Sequence, residues 1–215
     1  MIRITELARK QFAGVVGEGD TAVDATAGNG RDTIFLAGLV GPSGRVYAFD
    51  IQQKAIRKTA SLLEQNNLHK RVALIHAGHE SMASHIEGPV TAAMFNLGYL
   101  PGGDRSIVTR PETTLQGLAA ALQLLKSGGL ATLVIYPGHE GGAKEKKALI
   151  DYCCTLDSEE FRVIYTRLLN CSGNPPELLA VKKCSGRGGS GQICCNLPYK
   201  VAETVTVKNM KESSG

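Results

Sequence analysis

The sequence predicts an α/β protein with a mostly parallel, Rossmann-like sheet that carries helices on both faces. Short runs rich in β-branched residues alternate with longer stretches of helical periodicity, beginning with 20–25 and 30–39. The last two strand candidates have no long helix between them, which indicates an antiparallel hairpin at the edge of a seven-stranded sheet. The 215 residues, 43% of them hydrophobic, are enough to bury one core of ordinary size.

The elements follow one another in a regular order. The strands of the parallel part are expected at 20–25, 45–50, 72–76, 90–96 and 130–136. The helices are expected at 30–39, 52–67, 111–126 and 143–154. The third of these opens with Pro111 and closes on Ser127-Gly128-Gly129, the start and stop signals of a helix. The edge hairpin is predicted from strands at 161–168 and 178–182.

A change of composition near residue 184 predicts a domain boundary. Residues 185–191 read SGRGGSG, which is the composition of a flexible linker. We therefore expect one domain at 1–183 and a partly disordered appendage at 184–215. No apolar run is long enough to cross a bilayer and residues 1–20 carry charges, so neither a membrane span nor a secretory signal is expected.

Charge and cysteine usage narrow the classes of partner. The net charge of +4 is too small to hold nucleic acid by bulk charge, so any nucleic-acid partner must meet a local basic patch. The six cysteines include no C-x-x-C spacing, which argues against a zinc site and favours reduced thiols in a cytoplasmic protein, or an organellar one if the source is a plant. We expect no metal, and a homodimer is left open.

The segment VDATAGNGRDT at 23–33 runs from a predicted strand through a Gly-x-Gly turn into a helix, as in a ligand-binding turn. Asp50 ends the next strand, where a carboxylate can accept the hydroxyls of a ribose. A dinucleotide is an alternative ligand for this turn, but dinucleotide-binding enzymes carry a third small residue at the position of Thr33, so a dinucleotide is less favoured. Asp24, at the end of the first strand, suits the ammonium of S-adenosylmethionine, which is the preferred cofactor. A purely structural turn is the remaining alternative.

Further site signals follow the next strands. Gly78 and His79 lie where an adenine ring would bind, although His79 could equally be a surface residue at a helix start. Asn96 and Tyr99 keep the outer members of the Asn-Pro-Pro-Tyr spacing of amino-group methyltransferases, although Asn96 could instead cap the turn. His139, in the loop after the fifth strand, is a candidate proton acceptor or phosphate contact.

Taken together, DATAGNGxDT at 24–33, FNLGYLPGGD at 95–104 and YPGHEGG at 136–142 resemble the rRNA methylase family. Members of that family are linked to methylation of the 5-aminomethyl group of wobble uridine in bacterial tRNA. The resemblance covers about residues 1–183. It implies a class I methyltransferase fold, S-adenosylmethionine as donor and the anticodon stem-loop of tRNA as partner.

The resemblance and the motifs together give three sets of candidate residues. The predicted catalytic residues are Asn96, Tyr99, Asp104 and His139. The predicted donor-binding residues are Asp24, Thr26, Gly28, Asn29, Gly30, Asp32, Thr33, Asp50, Gln52, Gly78 and His79. The predicted substrate-binding residues are Gly98, Gly102, Arg105, Tyr136 and Gly138, with Arg105 either on an RNA phosphate or in solvent.

The family resemblance leads to a hypothesis about how the acceptor amine becomes reactive. The acceptor amine would be mostly protonated in water, because an alkylammonium has a pKa of about 10. Desolvation and a neighbouring cation would lower that pKa, the Asn96 oxygen would orient the lone pair, and His139, Asp104 or water would take the proton. Methylation of rRNA or of a small molecule is the first alternative function, and an RNA-binding module with a relic donor pocket is the second.

Overall fold

A computed structural model of the chain describes residues 3–104 and 106–185. The helices of these residues are α1 Ile4–Lys10, α2 Arg31–Leu39, α3 Gln53–Gln65, α4 Pro111–Leu124 and α5 Gly142–Thr155. The strands are β1 Thr21–Asp24, β2 Arg45–Phe49, β3 Val72–Ile75, β4 Val90–Asn96, β5 Leu125–Ile135, β6 Phe161–Thr166 and β7 Glu177–Lys183. Short 3₁₀ helices span His69–Arg71 and His79–Ser84.

The strands form one seven-stranded sheet in the order β3-β2-β1-β4-β5-β7-β6. Strands β1 to β5 run parallel, and β7 runs antiparallel to both β5 and β6. The winding reverses between the neighbours β1 and β4, and in open α/β sheets a crevice lies at the carboxyl ends of such a pair. The predicted α/β sheet with its antiparallel edge hairpin is confirmed.

The side chains of β4 show how the sheet separates two cores. Ala92 and Met94 belong to the cluster that contains residues of α1 and α2, whereas Ala93 and Phe95 belong to the cluster that contains residues of α4 and α5. This alternation is the period of two that a strand buried on both faces requires. Asn96 follows in the same alternation, so its side chain points toward the α1 and α2 face.

The boundary between α4 and β5 differs from the prediction. The helix ends at Leu124 and not at Lys126, and the segment 127–129, predicted to stop the helix, lies inside β5. Leu125 and Leu130 are both buried, so the chain enters the sheet earlier, and the pairing of β5 with β4 shifts register between them. Gly128 has φ +78°, which a bulge in a strand can use and most other residues avoid.

The N-terminal helix α1 was not predicted from the sequence. It has only 7 residues, too few for its periodicity to be distinctive, yet Ile4 and Ala8 are buried and Phe12, just beyond it, is fully buried. These apolar contacts hold α1 on the sheet face that Asn96 points to.

The described residues end shortly after β7. The predicted appendage at 184–215 lies outside them from residue 186 onward, so the predicted boundary at residue 183 stays a prediction. Within the described part of the chain, none of the helices combines the length and apolarity that a membrane span needs.

Candidate active site

The glycine turn, residues 25–30, joins β1 to α2. Gly28 and Gly30 have φ of +53° and +79°, a left-handed backbone that strongly favours glycine. The Gly28 N–H donates to Asp50 Oδ2 at 2.9 Å, and a Cβ on Gly30 would lie 3.0 Å from the Oγ1 of Thr59 in α3. The turn is therefore fixed between the end of β2 and α3, with its backbone open to close approach.

Asp24, the last residue of β1, is a buried carboxylate with a perturbed pKa. It is 1% exposed, Oδ1 accepts the Thr26 N–H at 3.1 Å, and Oδ2 accepts the Thr33 hydroxyl at 2.6 Å. Burial and then the charge of Asp32 raise its pKa to about 7. A cationic ligand group would relieve both effects, so the site favours a cation beside Asp24.

Asp50, just after β2, is a second carboxylate at this edge. Its Oδ1 accepts the Gln52 N–H at 2.8 Å, and its Oδ2 accepts the N–H of Gly28. Burial raises the pKa of Asp50 in spite of these two bonds. Each carboxylate oxygen keeps a second lone pair, which leaves acceptor capacity for hydroxyl groups such as those of a ribose.

Asn96, the last residue of β4, carries an amide oxygen that no described residue satisfies. Its backbone N–H donates to Thr26 Oγ1 at 2.7 Å, and its Nδ2 donates to Asp32 Oδ2 at 3.3 Å. Its Oδ1 is buried and has no hydrogen-bond partner in the described part of the chain. Leaving a buried acceptor unpaired costs about 1–3 kcal/mol, which a ligand N–H would recover.

Three predicted donor-binding side chains bind protein groups instead. The hydroxyl of Thr33 bonds to Asp24, and that of Thr26 accepts from Asn96. Asp32 Oδ1 forms an ion pair with Arg9 Nη2 at 2.7 Å. These side chains organise the site, and their direct contact with a donor stays a prediction.

The 97–104 loop follows β4 and leads toward α4. Gly98 has φ +108°, and a Cβ there would lie 3.6 Å from His139 Nε2 and 3.9 Å from Tyr136 Cβ. The Gly98 N–H donates to the Thr109 hydroxyl at 2.9 Å, which in turn donates to Oε2 of the fully buried Glu145 at 2.9 Å. The loop is thus anchored to α5 through side chains that the sequence analysis did not single out.

The same loop also touches the glycine turn. Asn29 Nδ2 donates to the Pro101 carbonyl at 3.4 Å, and Lys54 Nζ donates to the Gly102 carbonyl at 2.8 Å. A Cβ on Gly28 would lie 3.6 Å from Leu100 Cδ1. Predicted donor and acceptor residues, Asn29 and Gly102, therefore belong to two adjoining segments.

His139 is arranged so that its Nε2 can accept a proton. Its Nδ1 lies 2.8 Å from the Glu140 carbonyl, and a carbonyl only accepts, so Nδ1 carries the hydrogen and the neutral ring has its lone pair on Nε2. Nε2 is buried without a partner among the described residues. A cavity of about 490 Å³ adjoins the ring and is lined by Tyr99, Ser106, Val108, His139, Glu140 and Gly141.

Asp104 is a poorer candidate base than the sequence suggested. Its carboxylate accepts the N–H of Ser106 at 2.9 Å and the Ser106 hydroxyl at 2.7 Å, and these bonds lower its pKa. His139 is the better candidate, because its Nε2 has no hydrogen-bond partner among the described residues whereas the Asp104 carboxylate is already bonded to Ser106. Arg105 lies outside the described residues.

The surface interpretation of His79 is wrong, because the residue is 7% exposed. Its ring lies edge-on to Phe95 with centroids 5.6 Å apart, and a Cβ on Gly117 would lie 2.5 Å from its Cδ2. Burial lowers the pKa of His79. The ring therefore packs between β4 and α4, and a contact from Gly78 or His79 to an adenine stays a prediction.

The two remaining predicted substrate contacts lie after β5. Tyr136 is half-buried, and burial followed by the charge of Asp32 raises the pKa of its phenol. A Cβ on Gly138 would lie 3.3 Å from Asn174 Cβ, so the loop between β6 and β7 closes over this side of the site. Among residues 3–104 and 106–185, no cluster of histidine, cysteine and acidic side chains is arranged to hold a metal ion.

The strand order, with β7 antiparallel between β5 and β6, is that of a class I methyltransferase fold. A "putative rRNA-methylase" from Clostridium thermocellum is 48% identical, with a TM-score of 0.83 over 85% of this chain and 98% of that one. A "putative methyltransferase" from Streptococcus mutans, solved in complex with S-adenosylhomocysteine, is 39% identical, with a TM-score of 0.78 over 85% of this chain and 99% of that one.

The family model described as "Putative rRNA methylase" matches residues 46–182, and the chain belongs to this family. A curated relative from Arabidopsis thaliana, named "tRNA (mnm(5)s(2)U34)-methyltransferase, chloroplastic", is 44% identical in an alignment of 178 residues that covers 78% of this chain. The matched part spans 65% of the length of that relative. The family resemblance inferred from the sequence motifs is confirmed.

Proposed function

We propose that this protein transfers a methyl group from S-adenosylmethionine to the 5-aminomethyl amine of the wobble uridine in tRNA. The main observation that supports this proposal is the unpaired, buried Oδ1 of Asn96, at the sheet edge where Asp24 also lies. The name of the Arabidopsis relative supports the RNA substrate, and the S-adenosylhomocysteine complex of the Streptococcus relative supports the donor.

The residues of the glycine turn fit this donor. Asp24 offers a buried anion for the methionine ammonium, and Asp50 offers free lone pairs for the ribose hydroxyls. The left-handed glycines leave the backbone clear for close approach. When bound, S-adenosylmethionine supplies an electrophilic methyl group.

The acceptor side of the site would act by positioning. Asn96 Oδ1 accepts one N–H of the amine, which directs the amine lone pair away from the strand end. His139 Nε2 has the lone pair needed to take the proton that the amine loses. Desolvation in the cavity beside Tyr99 lowers the pKa of the amine and so increases the fraction that can react.

RNA would reach this site with the uridine turned out of its stack, as enzymes acting on single bases require. Arg110, two residues after Val108, and Lys144, three residues after Gly141, are exposed cations near the lining of the cavity. They suit phosphate groups of an anticodon stem-loop. The compartment would be the cytoplasm in a bacterium, and the chloroplastic Arabidopsis relative supports an organelle if the source is a plant.

Donor affinity should depend on pH through Asp24. Its pKa of about 7 means that the free site is largely protonated below that pH, while the donor ammonium binds the ionised form. The affinity should therefore rise by about tenfold per pH unit up to about pH 7 and then level off. Calorimetry with S-adenosylmethionine between pH 5.5 and 8 measures this, and Asp24→Asn, which cannot ionise, should give weak binding with no such rise.

The substrate is tested by incubating the protein and labelled donor with separated tRNA, rRNA and small-metabolite fractions. The tRNA should come from cells that lack this gene, and nucleoside mass spectrometry should then find the methyl group on the side-chain amine of wobble uridine. Label in rRNA or in a metabolite would assign the alternative substrates, and calorimetry without donor binding would favour a non-catalytic RNA-binding module.

A further inference from the structure

The side chain of Asp32 joins the N-terminal helix to the end of β4. Its carboxylate is 9% exposed, and its Oδ1 accepts two bonds from Arg9, from Nε at 2.8 Å and from Nη2 at 2.7 Å. Its Oδ2 accepts the Nδ2 of Asn96 at 3.3 Å. Arg9 thus occupies one oxygen and leaves the other to Asn96.

This connection determines which way the Asn96 amide faces. A carboxylate oxygen accepts and cannot donate, so the NH₂ end of the amide must face Asp32 and the oxygen must face away. That oxygen is the unpaired, buried Oδ1 described above. An amide rotated by 180° would present NH₂ to the incoming amine. That group would repel the N–H of a protonated amine and would bond to the lone pair of a neutral one, which is the lone pair that must attack the methyl group.

Arg9 supplies the positive charge that this arrangement needs. Asp32 is close enough to Asp24 to raise the pKa of that residue, so two carboxyl groups share the region. Arg9 is held in place by its position on α1 and by the ring of Phe35, which lies 5.7 Å from its guanidinium carbon. The Arg9 side chain is 31% exposed, so a guanidinium ion from solvent can reach the space that Arg9→Ala would leave.

We propose that Arg9 and Asp32 are positioning residues for the methyl transfer, because together they hold the Asn96 amide with Oδ1 directed at the acceptor amine. This role rests on the proposed function for its reaction and on the observed contacts for its geometry. Neither residue needs to touch the donor or the RNA in order to act.

The first test measures turnover of Arg9→Ala on tRNA. The kcat should fall by about 10-fold to 100-fold, the scale of lost orientation, while KM for tRNA and the Kd of the donor stay nearly unchanged. In an Asn96→Ala background the same replacement should cost less than about twofold more, because the group that it positions is already gone. Guanidinium ion at millimolar concentration should restore part of the kcat of Arg9→Ala and leave Asn96→Ala unaffected.

Opposite results would overturn the role. A loss that adds fully to that of Asn96→Ala, or a rise in KM for tRNA at constant kcat, would make Arg9 a stability or RNA-contact residue. If Arg9→Ala does not fold, the same kinetic comparison is made with Arg9→Lys and Asp32→Asn. Each keeps a side chain of similar size but weakens the hold on the Asn96 amide. Arg71→Ala is the matched control, because that arginine bonds to the Ala37 carbonyl at 3.1 Å, toward the end of α2 that lies away from Asp32.

A second measurement needs no RNA, so it separates this inference from the substrate assignment. Side-chain amide NMR of ¹⁵N-labelled protein should show the Asn96 NH₂ protons shifted by the bond to a carboxylate, and the shift should decrease in Arg9→Ala and disappear in Asp32→Asn. Asn66, whose Nδ2 bonds to the Leu62 carbonyl, provides an unchanged reference signal. An Asn96 signal that does not respond to either replacement would refute the positioning role, whatever the substrate is.

Discussion

Asn96→Ala is expected to lower kcat on tRNA by about 100-fold while the affinity for S-adenosylmethionine stays nearly the same, because orientation of the acceptor is worth about this much. The replacement removes the buried Oδ1 but keeps the backbone N–H that bonds to Thr26. Single-turnover kinetics with labelled donor measure the rate, and calorimetry measures the donor affinity.

The matched control for this prediction is Asn66→Ala. Asn66 follows α3 and is exposed, and its Nδ2 bonds to the Leu62 carbonyl of that helix. It should therefore retain wild-type turnover with a slightly lower thermal stability. An unchanged rate in Asn96→Ala would remove the amide from the mechanism and, with it, the reason for assigning an amine acceptor.

Asp24→Asn is expected to weaken donor binding by at least about 30-fold. Removing one partner of a buried charge pair costs about 2–5 kcal/mol, and every 1.4 kcal/mol is a factor of ten in affinity. The donor ammonium would lose its counterion, while the amide keeps the shape of the carboxyl group. Calorimetry at pH 8, where Asp24 is ionised, gives the largest difference.

The folding of this variant provides its own control. In the folded protein Asp24 has a pKa of about 7, well above its ordinary value of 3.8, so ionising it costs folding stability that grows as pH rises from about 4 to about 7. Asn carries no such cost, so the thermal midpoint of Asp24→Asn at pH 8 should be no lower than that of the wild type. Wild-type donor affinity in a folded Asp24→Asn protein would show that the ammonium binds elsewhere.

The order of strands and helices, and the residues at the sheet edge proposed to bind donor and acceptor, could be predicted from the sequence. Local signals carry this information: Gly28 and Gly30 lie between strand and helix patterns, and Asp24, Asp50 and Asn96 end strands that a parallel sheet brings to one edge. These residues do lie at adjoining positions in the structure.

What the sequence does not predict are the partners of the polar side chains. Arg9 lies in a helix too short to be recognised, and its bond to Asp32 spans 23 residues of sequence that no local pattern links. The burial of His79 against Gly117 is of the same kind, since it depends on how α4 packs on the sheet. Pairing across elements is set by tertiary packing, which periodicity does not report.

The contacts between the 97–104 loop and the glycine turn have a thermodynamic consequence. Asn29 of the turn bonds to Pro101, and Lys54, at the start of the neighbouring α3, bonds to Gly102. The loop and the turn also border the groups proposed to hold donor and acceptor. A molecule that shifts one segment must carry the other with it or break these bonds. By linkage, if binding of the first ligand changes the affinity for the second by some factor, binding of the second changes the affinity for the first by the same factor.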